Sequence, residues 1–215
     1  GDTHPDDFVY FPFHTPFPGM VRKAALLGYR HITRGTDIED ALADDIGMQP
    51  READFAEWDD YEEAIRAYMD ELKETRRYRE WYERAIDPTV RIAGQVGNWY
   101  TGSVHLARLS ALRAAAEEDA DLVGEKLLVG SYGSGAQAEI HAETVQDGWR
   151  EGVEAVDVEA RLDDRYDLSY EEYELVHDVH NHEKEVEVDE FTQPSGEFVF
   201  TGWGRMNERR YEYVE

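Results

Sequence analysis

The chain has no cysteine, so no disulfide, thiolate metal ligand or cysteine nucleophile can come from these residues. Lysine is almost as scarce: Lys23, Lys73, Lys126 and Lys184 are the only four among 22 basic residues, against 49 acidic ones and a formal charge of −27. Such a surface repels a duplex or an anionic membrane, which argues against nucleic-acid binding unless a local basic face is hidden in the sum. The best basic cluster, Arg76, Arg77 and Arg79, is broken by Glu74, Glu80 and Glu83. Apolar runs are only a few residues long, too short to span a bilayer, and the opening GDTHPDDF does not read as a signal peptide. The phosphate-loop pattern G-x-x-x-x-G-K-[ST] is absent too, and the glycines of GSYGSG at 130–135 have neither dinucleotide-fingerprint nor G-x-S-x-G spacing. Few lysines, with acids in every segment, point to a cytoplasmic protein of a high-salt interior, where screening removes the self-repulsion.

At 215 residues the chain can form one sizeable core. Its organising stretch is Val123 to His141: an apolar run at Lys126 to Val129, a tight Ser/Gly turn from Ser131 to Gly135, and a second extended run from Ala136 to Val145. A strand feeding a turn that side chains cannot crowd either presents backbone N–H groups or lets two backbones pack closely. Ahead of it, Phe8 to Phe11 reads as a strand, and Pro12, Pro16 and Pro18 hold His14 on a stiff extended mount. That imidazole is either packed in the core or positioned for function.

Helices are expected over Met20 to Tyr29, from Thr36 (a T-D-I-E capping box with Glu39) to about Gly47, and in one or two pieces over Asp54 to Ala85. In the last, Trp58, Tyr61, Ile65, Tyr68 and Leu72 form an apolar stripe that Tyr78, Trp81 and Ala85 continue. Pro88 should end it. A slim, Ala/Ser-rich helix follows from about Tyr100, with Asn98, Thr101 or Ser103 as its cap, suited to burial on more than one side. Beyond Gly152 come a mixed acidic stretch, a helix over Leu168 to Val179, a charged connection at 181–189, and a hairpin from Gly196 to Gly202 and Met206 to Val214. The alternation of helix and strand predicts one α/β domain.

His177, His180 and His182 resemble a metal cluster, but His182 falls off the face the other two would share, and a solvated charged segment is the alternative. No metal is expected. A more coherent chemistry joins His14 as a proton or hydrogen-bond donor, Asn98 as an amide donor, and Ser134 with its glycines as a backbone N–H: donors that stabilise a negative oxygen on a thioester or ketone. The nucleophile such donors would serve is not in the chain.

Three motifs at these residues, F-H-T-P-F at 13–17 followed by M-V-R-K-A, G-N-W-Y-T-G-S at 97–103 and S-Y-G-S-G at 131–135, strongly resemble the carboxyl-terminal part of the 3-hydroxy-3-methylglutaryl-CoA synthase family. The closing Phe200, Gly204 and Arg210, followed by Glu212, match that family's last hairpin only loosely, and residues 50–86 form a long acidic helical excursion relative to compact bacterial members. The resemblance implies an α/β, thiolase-like layered fold, a mixed sheet with packed helices, here without its first strands. It implies a reaction in which a cysteine takes acetyl from acetyl-CoA, the acetyl carbon adds to the ketone of acetoacetyl-CoA, and water releases the product. The cysteine and the acid/base glutamate belong to the amino-terminal half.

Residue by residue, His14 matches the histidine that contacts the acetoacetyl thioester, Asn98 the asparagine that hydrogen-bonds the acyl-CoA, and Ser134 the serine whose backbone N–H lies near the reacting oxygen. Gly19 stands where many relatives carry a lysine, so Arg22 or Lys23 is expected to replace it against CoA phosphates. No tightly bound cofactor is implied; acetyl-CoA and acetoacetyl-CoA are substrates. The expected partner is a cysteine-bearing amino-terminal half, within a dimer of the complete enzyme. The alternatives are a non-catalytic scaffold on the same fold, or a hydrolase using Ser134 and His14.

Overall fold

Pro18 stands at the first position of helix α1 (Pro18–Ile32), where its missing N–H is one the helix leaves unused. Val21, Ala25 and Tyr29, spaced four apart, form the buried face of α1. The structure is a computed structural model and describes residues 4–133, 136–165, 167–171, 173–174, 186–187, 197–203 and 209–214. They belong to two compact units, Gly1–Val156 and Asp157–Glu215.

Helix α2 (Asp37–Ile46) places Asp37, Glu39 and Asp40 in its first turn, favourably for the helix dipole. The expected capping box does not form. The Thr36 hydroxyl donates to Thr33 O at 2.7 Å, and Glu39 accepts instead from Gly35 N at 2.7 Å. The tight turn after α1, with Gly35 at φ +75°, brings the Gly35 N–H to that carboxylate.

The long acidic region forms two helices, α3 (Trp58–Leu72) and α4 (Arg76–Ala85), with the Thr75 hydroxyl accepting from Tyr78 N to cap the second. Trp58, at the head of the stripe, is exposed, whereas Tyr68, Leu72, Tyr78, Trp81 and Ala85 are buried in the larger core. There Trp81 meets Phe11 at 5.0 Å and Tyr29 at 4.7 Å between ring centroids. Burial pushes the Tyr29 phenol up to about 12.

Pro88 does not end the helical path. It occupies the first turn of a short helix, α5 (Asp87–Val90), where no N–H is required, and α6 (Ala93–Val96) follows before Gly97 turns the chain at φ +74°. Helix α7 (Ser103–Glu117) buries Ser103, Ala107, Ser110, Ala111, Ala114 and Ala115, so it is enclosed on more than one side as its small residues suggest. Ser110 joins it to the preceding turns: its Oγ donates to Pro88 O at 2.6 Å and accepts from Ile92 N at 3.3 Å.

Strands β1 (Lys126–Gly133) and β2 (Gln137–Thr144) pair antiparallel, from Lys126 opposite Thr144 to Gly133 opposite Gln137. The turn therefore begins later than expected. Ser131 and Tyr132 are strand residues opposite Glu139 and Ala138, because pairing with β2 satisfies their backbone groups. A second core joins Leu127 and Val129 of β1 to Val104, Ala111 and Ala115 of α7. Helix α8 (Trp149–Glu154) closes this unit.

In the second unit, α9 (Val158–Asp163) is capped by Asp157, which accepts from Ala160 N. Strands β3 (Val186–Glu187), β4 (Glu197–Trp203) and β5 (Arg209–Val214) form an antiparallel sheet in that order, with an irregularity at Phe200/Gly202. The predicted final hairpin is β4–β5, while the expected charged connection at 181–189 includes β3. Of the helix expected over 168–179, the described positions 170, 171, 173 and 174 are helical. His177, His180 and His182 lie outside the described residues.

Candidate functional site

Residues 9–14 run beside β1 in the same direction. Val9 N donates to Lys126 O at 2.9 Å, Leu128 N to Tyr10 O at 3.0 Å, Gly130 N to Pro12 O at 3.0 Å and His14 N to Gly130 O at 2.8 Å. Bridges at Tyr10–Leu127 and Phe13–Gly130 are parallel, which with the antiparallel β2 makes the small sheet mixed. Pro12 and Pro16 lack the N–H groups a continuous ladder needs, so the last such bond falls at His14.

His14 is gripped from three directions. Its backbone is bonded to β1, and its Nδ1 lies 2.7 Å from the Oγ of Ser103, the fully buried first residue of α7. The same Oγ accepts from Thr15 N at 3.0 Å, and the buried Thr15 hydroxyl donates to Phe13 O at 2.7 Å. The imidazole also meets the Tyr132 ring edge to face, at 4.8 Å and 83°. The Tyr132 hydroxyl in turn donates to Met20 Sδ at 3.1 Å. His14 Nε2 has no partner among the described residues.

Phe13, His14, Met20, Ala24, Tyr132 and Ile140 line an almost wholly apolar cavity of about 180 Å³. Two of the larger clefts, about 660 and 630 Å³, are lined by surface acids and bases such as Arg77 with Asp45 and Arg51 with Glu39. Neither includes a residue of the FHTPF segment. The smaller cavity joins apolar walls to an imidazole held by Ser103 and by the backbone of β1.

The family model "Hydroxymethylglutaryl-coenzyme A synthase C terminal" matches residues 2–202. The chain belongs to the hydroxymethylglutaryl-CoA synthase family. A hydroxymethylglutaryl-CoA synthase of Haloferax volcanii is 72% identical over 215 residues, covering 100% of this chain and 48% of that protein. One from Mycosarcoma maydis is 28% identical over 166 residues, 74% of this chain and 32% of that protein. The chain thus spans less than half the length of these relatives. Among solved structures, MvaS in complex with 3-hydroxy-3-methylglutaryl coenzyme A aligns with TM-score 0.62 and 26% identity over 100% of this chain and 44% of that one. The curacin-pathway HMG synthase in complex with holo donor-ACP shares the fold, with TM-score 0.59 and 24% identity over 100% of this chain and 45% of that one. The fold is accordingly that of a carboxyl-terminal thiolase-like portion, a small mixed sheet and a small antiparallel one with packed helices.

The structure treats the synthase motifs unequally. F-H-T-P-F and the last residue of G-N-W-Y-T-G-S meet at the His14–Ser103 contact, whereas Asn98 is exposed and its Oδ1 accepts from Tyr100 N at 2.8 Å. Asn98 thereby supports the turn that precedes α7 and does not cap α7 itself. Ser134 lies outside the described residues. Arg22 and Lys23 are exposed on α1 and directly follow the cavity-lining Met20 and Val21 in the chain. Neither has an ion-pair partner among the described residues. Burial raises the Tyr82 phenol while the adjacent Arg22 opposes that rise.

Sequence reasoning assigned no site role to Ser103, Tyr132 or Met20. The signal for Ser103 was available in its motif, but a small hydroxyl at a helix start reads first as a cap. A turn over Ser131 to Gly135 gives the Tyr132 ring no defined direction. Met20 reads from sequence only as the first residue of the expected helix.

Proposed function

We propose that residues 1–215 are the carboxyl-terminal part of a cytoplasmic, salt-adapted enzyme that makes 3-hydroxy-3-methylglutaryl-CoA from acetyl-CoA, acetoacetyl-CoA and water, with residues 50–86 as an acidic helical excursion. The observation that carries this reading is the mount of His14: ring and backbone are held by Ser103, Tyr132 and Gly130, and the residue lines a small apolar cavity. In such surroundings a hydrogen bond to a thioester or ketone oxygen is worth far more than in water, and it requires no reorganisation during reaction. His14 orients the acetoacetyl thioester; Asn98 and the backbone N–H of Ser134 complete the donor set; Arg22 and Lys23 contact CoA phosphates. Coenzyme A thioesters are substrates, with no tightly bound cofactor.

The cysteine that carries acetyl and the glutamate that exchanges protons come from an amino-terminal half, and the complete enzyme is a dimer. Exposed Phe17, Trp99, Tyr100 and Ile140 near these motifs support a covering partner, since isolated chains seldom leave such side chains in water together. Among the described residues, no helix is long and apolar enough to cross a membrane.

The test is acetyl-CoA-dependent consumption of acetoacetyl-CoA in high salt, with this chain alone and with the cysteine-bearing half added. Turnover in the mixture only is expected, with His14→Ala slowing it by about a hundredfold. A demonstrated complex without turnover would overturn the assignment.

A further inference from the structure

We infer that Ser103 is a positioning residue that holds His14 in the tautomer protonated on Nε2, so that the ring nitrogen with no partner among the described residues carries an N–H, not a lone pair. The catalytic consequence rests on the functional reading of His14 above; the structural half stands without it.

A serine hydroxyl has one proton and two lone pairs. At Ser103 one lone pair takes the N–H of Thr15, a bond of fixed direction because a backbone nitrogen only donates. The residue is fully buried, and the other partner of its Oγ among the described residues is His14 Nδ1, at 2.7 Å. Were the imidazole proton on Nδ1, the ring would donate to Oγ and the serine hydrogen would be left without an acceptor in a dry site. With Ser103 donating to Nδ1, each of these groups is used once.

Ser110 supplies an internal parallel about two turns along the same face of α7. Its Oγ likewise accepts from a backbone nitrogen, Ile92 N, and donates to Pro88 O, a group that can only accept. The two serines attach α7 to two different crossing segments by one pattern of bonds. At Ser103 the acceptor is a histidine, and the pattern therefore sets a tautomer.

The chemical result is a division of labour. A ring with Nδ1 engaged and hydrogen on Nε2 can donate to a carbonyl oxygen but offers no free lone pair to remove a proton from carbon. His14 is thus a hydrogen-bond donor to substrate oxygen, and the proton of the acetyl carbon goes to another base.

The decisive experiment is 15N NMR of ring-labelled histidine in the complete enzyme, this chain with its cysteine-bearing half, with the His14 signals identified by their loss in His14→Gln. A pyrrole-type Nε2 and an imine-type Nδ1 are expected; a neutral ring protonated on Nδ1 overturns the inference. In Ser103→Ala the signals should move toward a mixture of tautomers, and turnover should fall about tenfold with less than about a twofold change in KM. In a His14→Ala background the same substitution should cost no further turnover. An equal loss in both backgrounds would make Ser103 merely structural and end the inference. If His14→Ala itself leaves turnover unchanged, the functional reading falls, while the tautomer in the parent enzyme still decides this one.

Discussion

A Cβ placed on Gly130 would stand 2.7 Å from Phe13 Cδ1 and 3.0 Å from its Cε1. The missing side chain at 130 is what lets the Phe13 ring lie across β1, and Phe13 is the residue before His14. Gly130 also bonds both neighbours of Phe13, through Gly130 N to Pro12 O and His14 N to Gly130 O.

Gly130→Ala is therefore expected to push Phe13 away and carry His14 off its mount. Overpacking of this kind costs about 1–3 kcal/mol of stability, and displacement of a substrate-orienting group by about 1 Å costs up to about a hundredfold in rate. Denaturant unfolding at fixed KCl, with turnover of the complete enzyme, checks both. Parent-like values for each would mean that the close approach is unimportant.

Arg22 and Lys23 are expected to bear on substrate binding and not on chemistry. Charge reversal at each, Arg22→Glu and Lys23→Glu, should raise KM for acetoacetyl-CoA several-fold with kcat nearly unchanged, because a phosphate contact is present equally in ground and transition states. An unaltered KM in both variants would remove these residues from the CoA site.

Arg108 joins α7 to β2 by donating to both carboxylate oxygens of Glu143, at 2.6 and 2.7 Å, while His141 and His105 approach the two partners. Burial raises the Glu143 carboxyl, but the Arg108 and His141 bonds and charges outweigh it and hold the group below its ordinary value of 4.5. A depressed carboxylate contributes stability above its unfolded value and loses it as pH falls through the folded one. Glu143→Gln should therefore cost about 1 kcal/mol near neutral pH, with the gap to the parent closing below about pH 4. A gap unchanged down to pH 3 would contradict this account.

The formal charge of −27 predicts a strong dependence on salt. Moving from about 10 mM to about 1 M KCl shortens the screening length from about 30 to about 3 Å, so thermal unfolding should become more cooperative and shift upward. Equal midpoints and cooperativity at the two salt concentrations would show that self-repulsion is not what limits this fold.

Helices α1, α3, α4 and α7 and the β4–β5 hairpin were legible because their periodicities and breakers are local properties. The Tyr68–Leu72 spacing makes one face under any packing, whereas Pro18, read as part of the extended mount of His14, is the first residue of α1, where its missing N–H is not needed. The Thr36 cap was misread because the competing partner, Gly35 N–H, becomes available to Glu39 only once the turn after α1 is made. The Ser131–Gly135 turn was misread because Ser131 and Tyr132 become strand residues through bonds to β2.

The candidate site divides in the same way. The residue types and motif order by themselves determined the absence of a cysteine nucleophile, the family and the choice of His14. Only the tertiary structure decided that His14 Nδ1 meets Ser103, and that the imidazole packs on Tyr132, whose hydroxyl reaches Met20. Periodicity and motifs report energies between near neighbours in the chain, whereas the direction of an imidazole is set by groups that come together only when α1, β1 and α7 pack.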